Sequence, residues 1–259
     1  MELPIFQIDA FTSRVFGGNP AAVVPLTKWL PDDVLQAIAA ENNLAETAFF
    51  VRQGDHYALR WFTPAVEVDL CGHATLATAH LLFARFEPEA ERVRFTTQSG
   101  WLEVSRDGDR LALDFPARPP LPCPVPAALT TALGAQPVEV LGSRDYFVVL
   151  RSAEAVRAIK PDFALLGTLD RAAVIVTAPG DDCDFVSRFF APAMGIPEDP
   201  VTGSAHCTLI PYWSRRLGKI GLLARQLSAR GGELHCEDRG ERVSIGGHTV
   251  LYLEGTIYI

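Results

Sequence analysis

The chain has 259 residues, of which 48% are apolar and 21% charged, a balance typical of a globular protein with a substantial core. Its formal charge is −8 and no block of Lys or Arg stands out, which argues against nucleic-acid binding through a broad basic face. No apolar stretch approaches the length of a membrane span, and the first residues show no basic leader. We therefore expect a cytoplasmic protein with no membrane partner.

The first half of the chain predicts a sheet with one surface helix and one buried helix. The expected elements, in chain order, are strands at 5–11 and 21–24 around a turn at 17–20, a helix from Pro31 to Asn43, strands at 44–51 and 56–62, a helix at 72–85, and a hairpin at Asp107-Gly108. The helix at 72–85 is apolar nearly all round. Such a helix is buried rather than laid on a surface, so we expect the sheet to curl around it.

A proline-dense connector follows. Residues 118–126 read RPPLPCPVP, which is too stiff and too poor in N–H donors for a sheet interior. We place a domain boundary there, with an N-terminal half-domain at 1–118 and a C-terminal half-domain at 119–248. The tail at 249–259 alternates like a strand, and we allow that it pairs with the N-terminal half.

The second half repeats the order of the first. Its expected elements are strands at 138–141 and 147–150, a helix at 153–159, strands at 172–177 and 185–190, a helix after Gly203 and a final hairpin. The motifs repeat as well, because FTPA at 62–65 precedes CGHA at 71–74, and FAPA at 190–193 precedes TGSA at 202–205. The offset is 131 residues between the glycines at 72 and 203, and 132 at two later glycine pairs, 100/232 and 108/240. This predicts two similar half-domains with a cleft between them.

Each copy begins its central helix at a glycine, Gly72 in the first and Gly203 in the second. A helix N-terminus carries unpaired N–H groups and a partial positive charge, so it binds carboxylates well. His73 and Ser204 follow at matching positions and can donate to the same ligand. Two such helix starts would hold a small anion without a basic cluster. The alternative is that both are ordinary capping glycines.

Two acids are candidates for proton chemistry. Glu46 lies in LAETAFFV at 44–51, apolar on both strand faces, and the repeat places apolar Val174 or a neighbour at the corresponding position. Burial would raise the pKa of this carboxyl toward the range useful for general acid–base catalysis. The alternative is a strand-end acid in water or paired with Arg60. Asp199, before the second helix start, is either a capping acid or a second carboxyl that contacts substrate.

The cysteines number five, and their spacing fits no zinc or redox motif. Cys71 directly precedes Gly72, where a thiolate would be stabilised by the helix start and could act as a base. The matching residue in the second copy is Thr202, whose hydroxyl is far too weak an acid for that role. A racemase with two thiols therefore lacks its second base, and Cys71 could instead be a small packing residue.

These segments together resemble the PhzF (phenazine-biosynthesis) family, which is similar in fold to diaminopimelate epimerase. The matching segments are DAFT at 9–12, GNPA at 18–21, NLAETAF at 43–49, LCGHAT at 70–75 and EDPVTGSA at 198–205. The resemblance implies an α+β fold of two pseudo-symmetric half-domains, each a curled, barrel-like mixed sheet around a central helix. It also implies a homodimer that needs no cofactor and no metal.

The resemblance further implies an isomerase in which a glutamate matching Glu46 moves a proton, with the family's histidine and aspartate at His73 and Asp199. The substrate-binding positions it implies are Asn19, Gly72, Gly203 and Ser204. Our leading hypothesis is an isomerase that moves a proton between carbons of a small carboxylated metabolite. The alternatives are an epimerase or racemase that uses Cys71, and a non-catalytic scaffold that binds a metabolite or a protein.

Overall fold

The computed structural model describes residues 1–259, whose contacts divide the chain into two compact units. Unit 1 comprises Met1–Asp114 and Gly246–Ile259, and unit 2 comprises Phe115–Ile245. None of the helices has the length and apolar character needed to cross a lipid bilayer.

Strands and helices are numbered in chain order. The strands of unit 1 are β1 (Glu2–Ala10), β2 (Asn19–Leu26), β3 (Glu46–Gln53), β4 (His56–Phe62), β5 (Glu67–Val68), β6 (Arg92–Thr97), β7 (Gly100–Asp107), β8 (Arg110–Pro116), in which the chain passes to unit 2, and β18 (Thr249–Tyr258). Its helices are α1 (Asp32–Asn42) and α2 (Gly72–Leu81), and α2 continues into a π-helical turn at Leu82–Phe86.

The strands of unit 2 are β9 (Leu121–Pro122), β10 (Glu139–Gly142), β11 (Tyr146–Val149), β12 (Val174–Pro179), β13 (Phe185–Ala191), β14 (Ile196–Asp199), β15 (Gly221–Gln226), β16 (Gly232–Asp238) and β17 (Arg242–Gly247), in which the chain passes back to unit 1. Its helices are α3 (Ala127–Leu133), α4 (Ala153–Ala158), α5 (Phe163–Leu166) and α6 (Gly203–Leu217).

The sheet of unit 1 mixes parallel and antiparallel pairs. β2 pairs parallel with β3, β3 antiparallel with β4, β4 parallel with β6, and β6 antiparallel with β7. β1 pairs antiparallel with both β2 and the C-terminal strand β18. Helix α2 contacts β1, β2 and β3, and nine of its ten residues are buried, as its apolar sequence predicts.

Unit 2 repeats this pairing scheme. β11 pairs parallel with β12, β12 antiparallel with β13, β13 parallel with β15, and β15 antiparallel with β16. Helix α6 follows the short strand β14 as α2 follows β5, and it contacts β15 and β16. The predicted α+β fold, with a curled mixed sheet around a central helix in each half, is confirmed.

The repeated pairing also aligns Glu46 with its apolar counterpart. Glu46 is the first residue of β3 and lies opposite Ala21 in β2. Val174 is the first residue of β12 and lies opposite Tyr146 in β11. The same strand position therefore carries an acid in one unit and a core residue in the other.

One local prediction needed correction. The strand expected at 44–51 begins instead at Glu46, because Asn43 ends α1 in the left-handed conformation, with φ of 49°, and the chain must turn before it extends. The connector at 118–126, which we expected to be unsuited to a sheet interior, contains the two-residue strand β9, where Leu121 and Pro122 pair with β10. Both are exposed, which fits the tolerance of edge positions for proline.

Candidate functional site

Glu46 lies in the interior of unit 1 beside a histidine. It is 9% exposed, and its Oε2 lies 3.0 Å from Nε2 of His73, in the first turn of α2. Neither atom has another hydrogen-bonding partner in the protein. Arg60, which we weighed as a partner for Glu46, instead forms ion pairs with Glu67 and Asp32. The acid is therefore held next to a second titratable group rather than in a surface ion pair.

The other ring nitrogen of His73 faces two more buried side chains. Its Nδ1 lies 3.1 Å from Nδ2 of Asn19, the first residue of β2, and 3.6 Å from Sγ of Cys71. We expected Asn19 to bind substrate, and the contact that the structure shows is with His73. Glu46, His73, Asn19 and Cys71 thus form one cluster, here called the Glu46 cluster, at the starts of β2, β3 and α2.

The titratable groups of the Glu46 cluster affect one another. Burial disfavours the imidazolium of His73, but its contacts with Cys71 and with the Glu46 carboxylate outweigh burial and hold the pKa of His73 well above its ordinary value. Burial, together with the nearby Glu46 carboxylate, raises the pKa of Cys71 to about 11. The thiol is therefore protonated at neutral pH. Of our two readings of Cys71, the raised pKa favours the packing residue over the thiolate base, since burial outweighs the helix end.

The two helix starts are alike in lacking a side-chain cap. Helix α2 begins at Gly72 and α6 at Gly203, and neither Cys71 nor Thr202, the residues before them, accepts a capping hydrogen bond from the first turn. Polar N-cap side chains usually satisfy one of these N–H groups. Both helices therefore present first-turn N–H groups that no N-cap side chain occupies. Ser204 is half-buried beside Gly203.

Asp199, the last residue of β14, belongs to a second cluster that lies wholly in unit 2. It is 8% exposed, and its Oδ2 accepts a hydrogen bond of 2.5 Å from the Thr202 hydroxyl. The Gln226 amide Nε2 donates to the Asp199 carbonyl at 2.8 Å and to the Thr202 hydroxyl oxygen at 3.1 Å, and Thr202 N donates to Gln226 Oε1 at 2.9 Å. Because the Thr202 hydroxyl accepts from Gln226, its single proton is free to point at the carboxylate.

Sequence reasoning missed Gln226 and His206. Gln226 ends β15 and reaches Asp199 across 27 residues of sequence, so no motif connects them. It is 1% exposed, with its amide fully engaged in the loop before α6. His206 sits one turn into α6, with Nδ1 2.8 Å from the Thr202 carbonyl oxygen. Only its position four residues after Thr202 hinted at that contact.

His206 makes the stability of the fold sensitive to acid. Its ring is completely buried, which lowers its pKa from 6.5 to about 4, although the contact with Thr202 opposes this. As the pH falls, His206 is therefore protonated near pH 6.5 in the unfolded chain but only near pH 4 in the folded chain. The stabilisation is complete above the unfolded pKa and is lost as the pH falls, by about 1.4 kcal/mol per pH unit.

Urea unfolding between about pH 7 and pH 5 measures this loss. His206→Asn has no titrating ring, so the slope of the unfolding free energy against pH should fall by the amount that corresponds to about one proton. An unchanged slope in that variant would contradict the assignment to His206.

Comparison with known proteins gives the family. The family model described as PhzC-PhzF, phenazine biosynthesis-like protein, matches residues 8–255. The chain belongs to this family. It is 58% identical over 258 residues to an uncharacterized isomerase of Pseudomonas aeruginosa, with 99% of each chain covered. It is 45% identical over 264 residues to an uncharacterized isomerase of Halalkalibacterium halodurans, with 100% of each chain covered.

Solved structures agree with this assignment. A PhzF-family protein from Enterococcus faecalis matches with a TM-score of 0.97 and 52% identity, over 100% of both chains. A hydroxyproline epimerase from Agrobacterium vitis matches with a TM-score of 0.64, over 99% of this chain and 91% of that one, and at 12% identity it shows the fold alone. The predicted family and the prediction of an isomerase are both confirmed.

Proposed function

We propose that this PhzF-family isomerase works without a cofactor and moves a proton between two carbons of a small carboxylated metabolite by general acid–base catalysis. The observation that carries the proposal is the interior carboxylate of Glu46, 3.0 Å from His73 and lacking any other protein partner at its Oε2. Burying a carboxyl is costly for stability, and the partner of this one at Oε2 is another titratable group; proton transfer is a function that would justify that cost.

Glu46 acts first as the base and then as the acid. Its carboxylate takes a proton from one carbon, and the electron pair left behind delocalises toward the substrate carboxylate. The protonated Glu46 then returns the proton to a second carbon of the same molecule, so no oxidant or reductant is needed. His73, with its raised pKa, balances the carboxylate charge and holds the group in place, while Asn19 contacts the far side of the ring.

The substrate carboxylate is held by backbone donors. We assign this role to the first turns of α2 and α6, at Gly72 and at Gly203-Ser204, because no N-cap side chain occupies their N–H groups. Donors fixed in advance stabilise the charge that develops as the proton leaves carbon. Within unit 2, we assign a hydrogen bond to substrate to Asp199, which Thr202 and Gln226 orient.

A screen in deuterated water tests this proposal. The protein is incubated with small unsaturated and cyclic carboxylic acids, and mass spectrometry and NMR follow the appearance of deuterium at carbon. We expect one class of acid to gain deuterium and to convert to a positional isomer. Tight binding of an acid with no exchange and no isomer would instead favour the non-catalytic scaffold.

The competing epimerase hypothesis places the base at Cys71. Because its pKa of about 11 leaves the thiol protonated, we expect Cys71→Ala to keep turnover within about ten-fold of the wild type. The measurement is the rate of exchange or isomerisation on an acid found in the screen. A loss in Cys71→Ala as large as that in a Glu46 variant would favour the thiol mechanism.

We also propose a cytoplasmic homodimer. The five cysteines are all free, which suits a reducing compartment, and the dimer is what the family resemblance implies. Light scattering on the purified protein should give twice the chain mass of 28.2 kDa. A mass equal to one chain would contradict it.

A further inference from the structure

The Glu46 cluster contains the ligand types that zinc prefers. Glu46, Cys71 and His73 each offer one ligand atom, and these three atoms lie within 4.8 Å of one another. All three residues are buried. Carboxylate oxygen, thiolate sulfur and imidazole nitrogen are the usual protein ligands of Zn²⁺. The set matches no sequence motif, because Glu46 belongs to β3 whereas Cys71 and His73 lie at the start of α2.

The distances suit one tetrahedral ion. Zinc bonds of about 2.3 Å to sulfur and 2.0–2.1 Å to nitrogen place the two ligand atoms about 3.6 Å apart in a tetrahedron. Sγ of Cys71 and Nδ1 of His73 are 3.6 Å apart. Glu46 faces Nε2, but the three ligand atoms lie within 4.8 Å of one another, so a rotation of the Glu46 side chain is what binding to the same ion requires. Asn19 Nδ2, 3.1 Å from Nδ1, has to move aside for the ion.

The charges suit a divalent ion as well. A buried cation is costly unless anionic ligands neutralise it. The Glu46 carboxylate and the Cys71 thiolate supply two negative charges, which balance Zn²⁺, and neutral His73 adds none. Binding requires the Cys71 thiol and the His73 ring each to release a proton to solvent.

We propose that Glu46, Cys71 and His73 form a binding site for Zn²⁺. A bound Zn²⁺ would coordinate the carboxylate of Glu46, the proposed base, and would so inhibit the isomerase reversibly. The inhibition rests on the proposed function, whereas the binding does not.

Metal titration tests the site without any substrate. Protein freed of metal with a chelator is titrated with Zn²⁺ by calorimetry and with Co²⁺ by absorption spectroscopy. We expect one ion per chain and a near-ultraviolet charge-transfer band from thiolate to cobalt. Cys71→Ala should remove the band and weaken Zn²⁺ binding on the order of 100-fold, and Glu46→Gln should weaken it about ten-fold or more.

Cys207→Ala is the matched control, since Cys207 is also a buried thiol in a central helix but lies in unit 2. It should keep both the band and the affinity. A band that survives Cys71→Ala, or full affinity in Glu46→Gln, would overturn the site. X-ray absorption on the zinc-loaded wild type needs no variant, and it should count one sulfur among nitrogen and oxygen neighbours. A zinc shell without sulfur would equally overturn it.

Inhibition is measured separately, on an acid found to exchange in deuterated water. Added Zn²⁺ should stop exchange and a chelator should restore it. If no acid exchanges, the proposed function fails while the binding results stand. If exchange occurs and bound Zn²⁺ leaves its rate unchanged, the inhibitory role is wrong and the function stands.

Discussion

Glu46→Gln should reduce turnover by roughly 10²–10⁴ while leaving the fold intact. The amide has nearly the shape of the carboxylate but can neither take a proton from carbon nor return one. The glutamine side chain can keep the contact with His73, because its amide occupies the position at which the wild-type Oε2 lies 3.0 Å from Nε2. The measurement is the isomerisation rate at saturating substrate, with thermal unfolding as the check on folding.

Glu103→Gln is the matched control for this substitution. Glu103 lies in β7 of the same unit, 39% of its side chain is exposed, and its partner is Arg92 at the surface. The same chemical change there should leave turnover unaltered. Full activity in Glu46→Gln would remove Glu46 from the mechanism.

Trp213→Ala should lower the free energy of unfolding by about 3–5 kcal/mol. Trp213 lies in α6 and is completely buried, its ring stacks on Phe185 with an interplanar angle of 4°, and its Nε1 donates to Thr177 Oγ1 at 2.9 Å. Alanine leaves a large cavity and removes that hydrogen bond. Because α6 begins at Gly203-Ser204, loosening this helix should also weaken substrate binding.

Urea unfolding measures the effect, with Trp101→Ala as the matched control. Trp101 is 60% exposed in β7, so the same truncation there should cost far less. Equal losses at the two tryptophans would contradict the view that α6 is the packed centre of unit 2.

Much of the fold could be predicted because it depends on local pattern. The buried helix at 72–85 follows from its apolar composition, and the repeated order of strands follows from the repeated motifs at 62–74 and 190–205. The helices α3 and α5 were missed, since they have seven and four residues and too few turns to show a periodicity. The start of β3 was misplaced because the pattern of apolar residues does not indicate the left-handed turn at Asn43.

Only part of the candidate site could be predicted from the sequence. Glu46 stood out because an acid in an apolar strand breaks the pattern, and the repeat supplied Val174 for comparison. The partners of His73 and Asp199 did not stand out, because Asn19 and Gln226 come from distant strands and reach them through side chains. The protonation of Cys71 also depends on its burial and on the nearby Glu46. Neither can be inferred from the spacing of residues along the chain.

The fate of the migrating hydrogen tests the central claim most directly, namely that one carboxyl both takes and returns the proton. A substrate labelled with deuterium at the carbon that loses its proton is converted in ordinary water under single-turnover conditions. Because only 12% of the Glu46 side chain is exposed, exchange with solvent should be incomplete, and part of the label should appear at the receiving carbon. Product whose new hydrogen comes entirely from solvent in that first turnover would contradict the account.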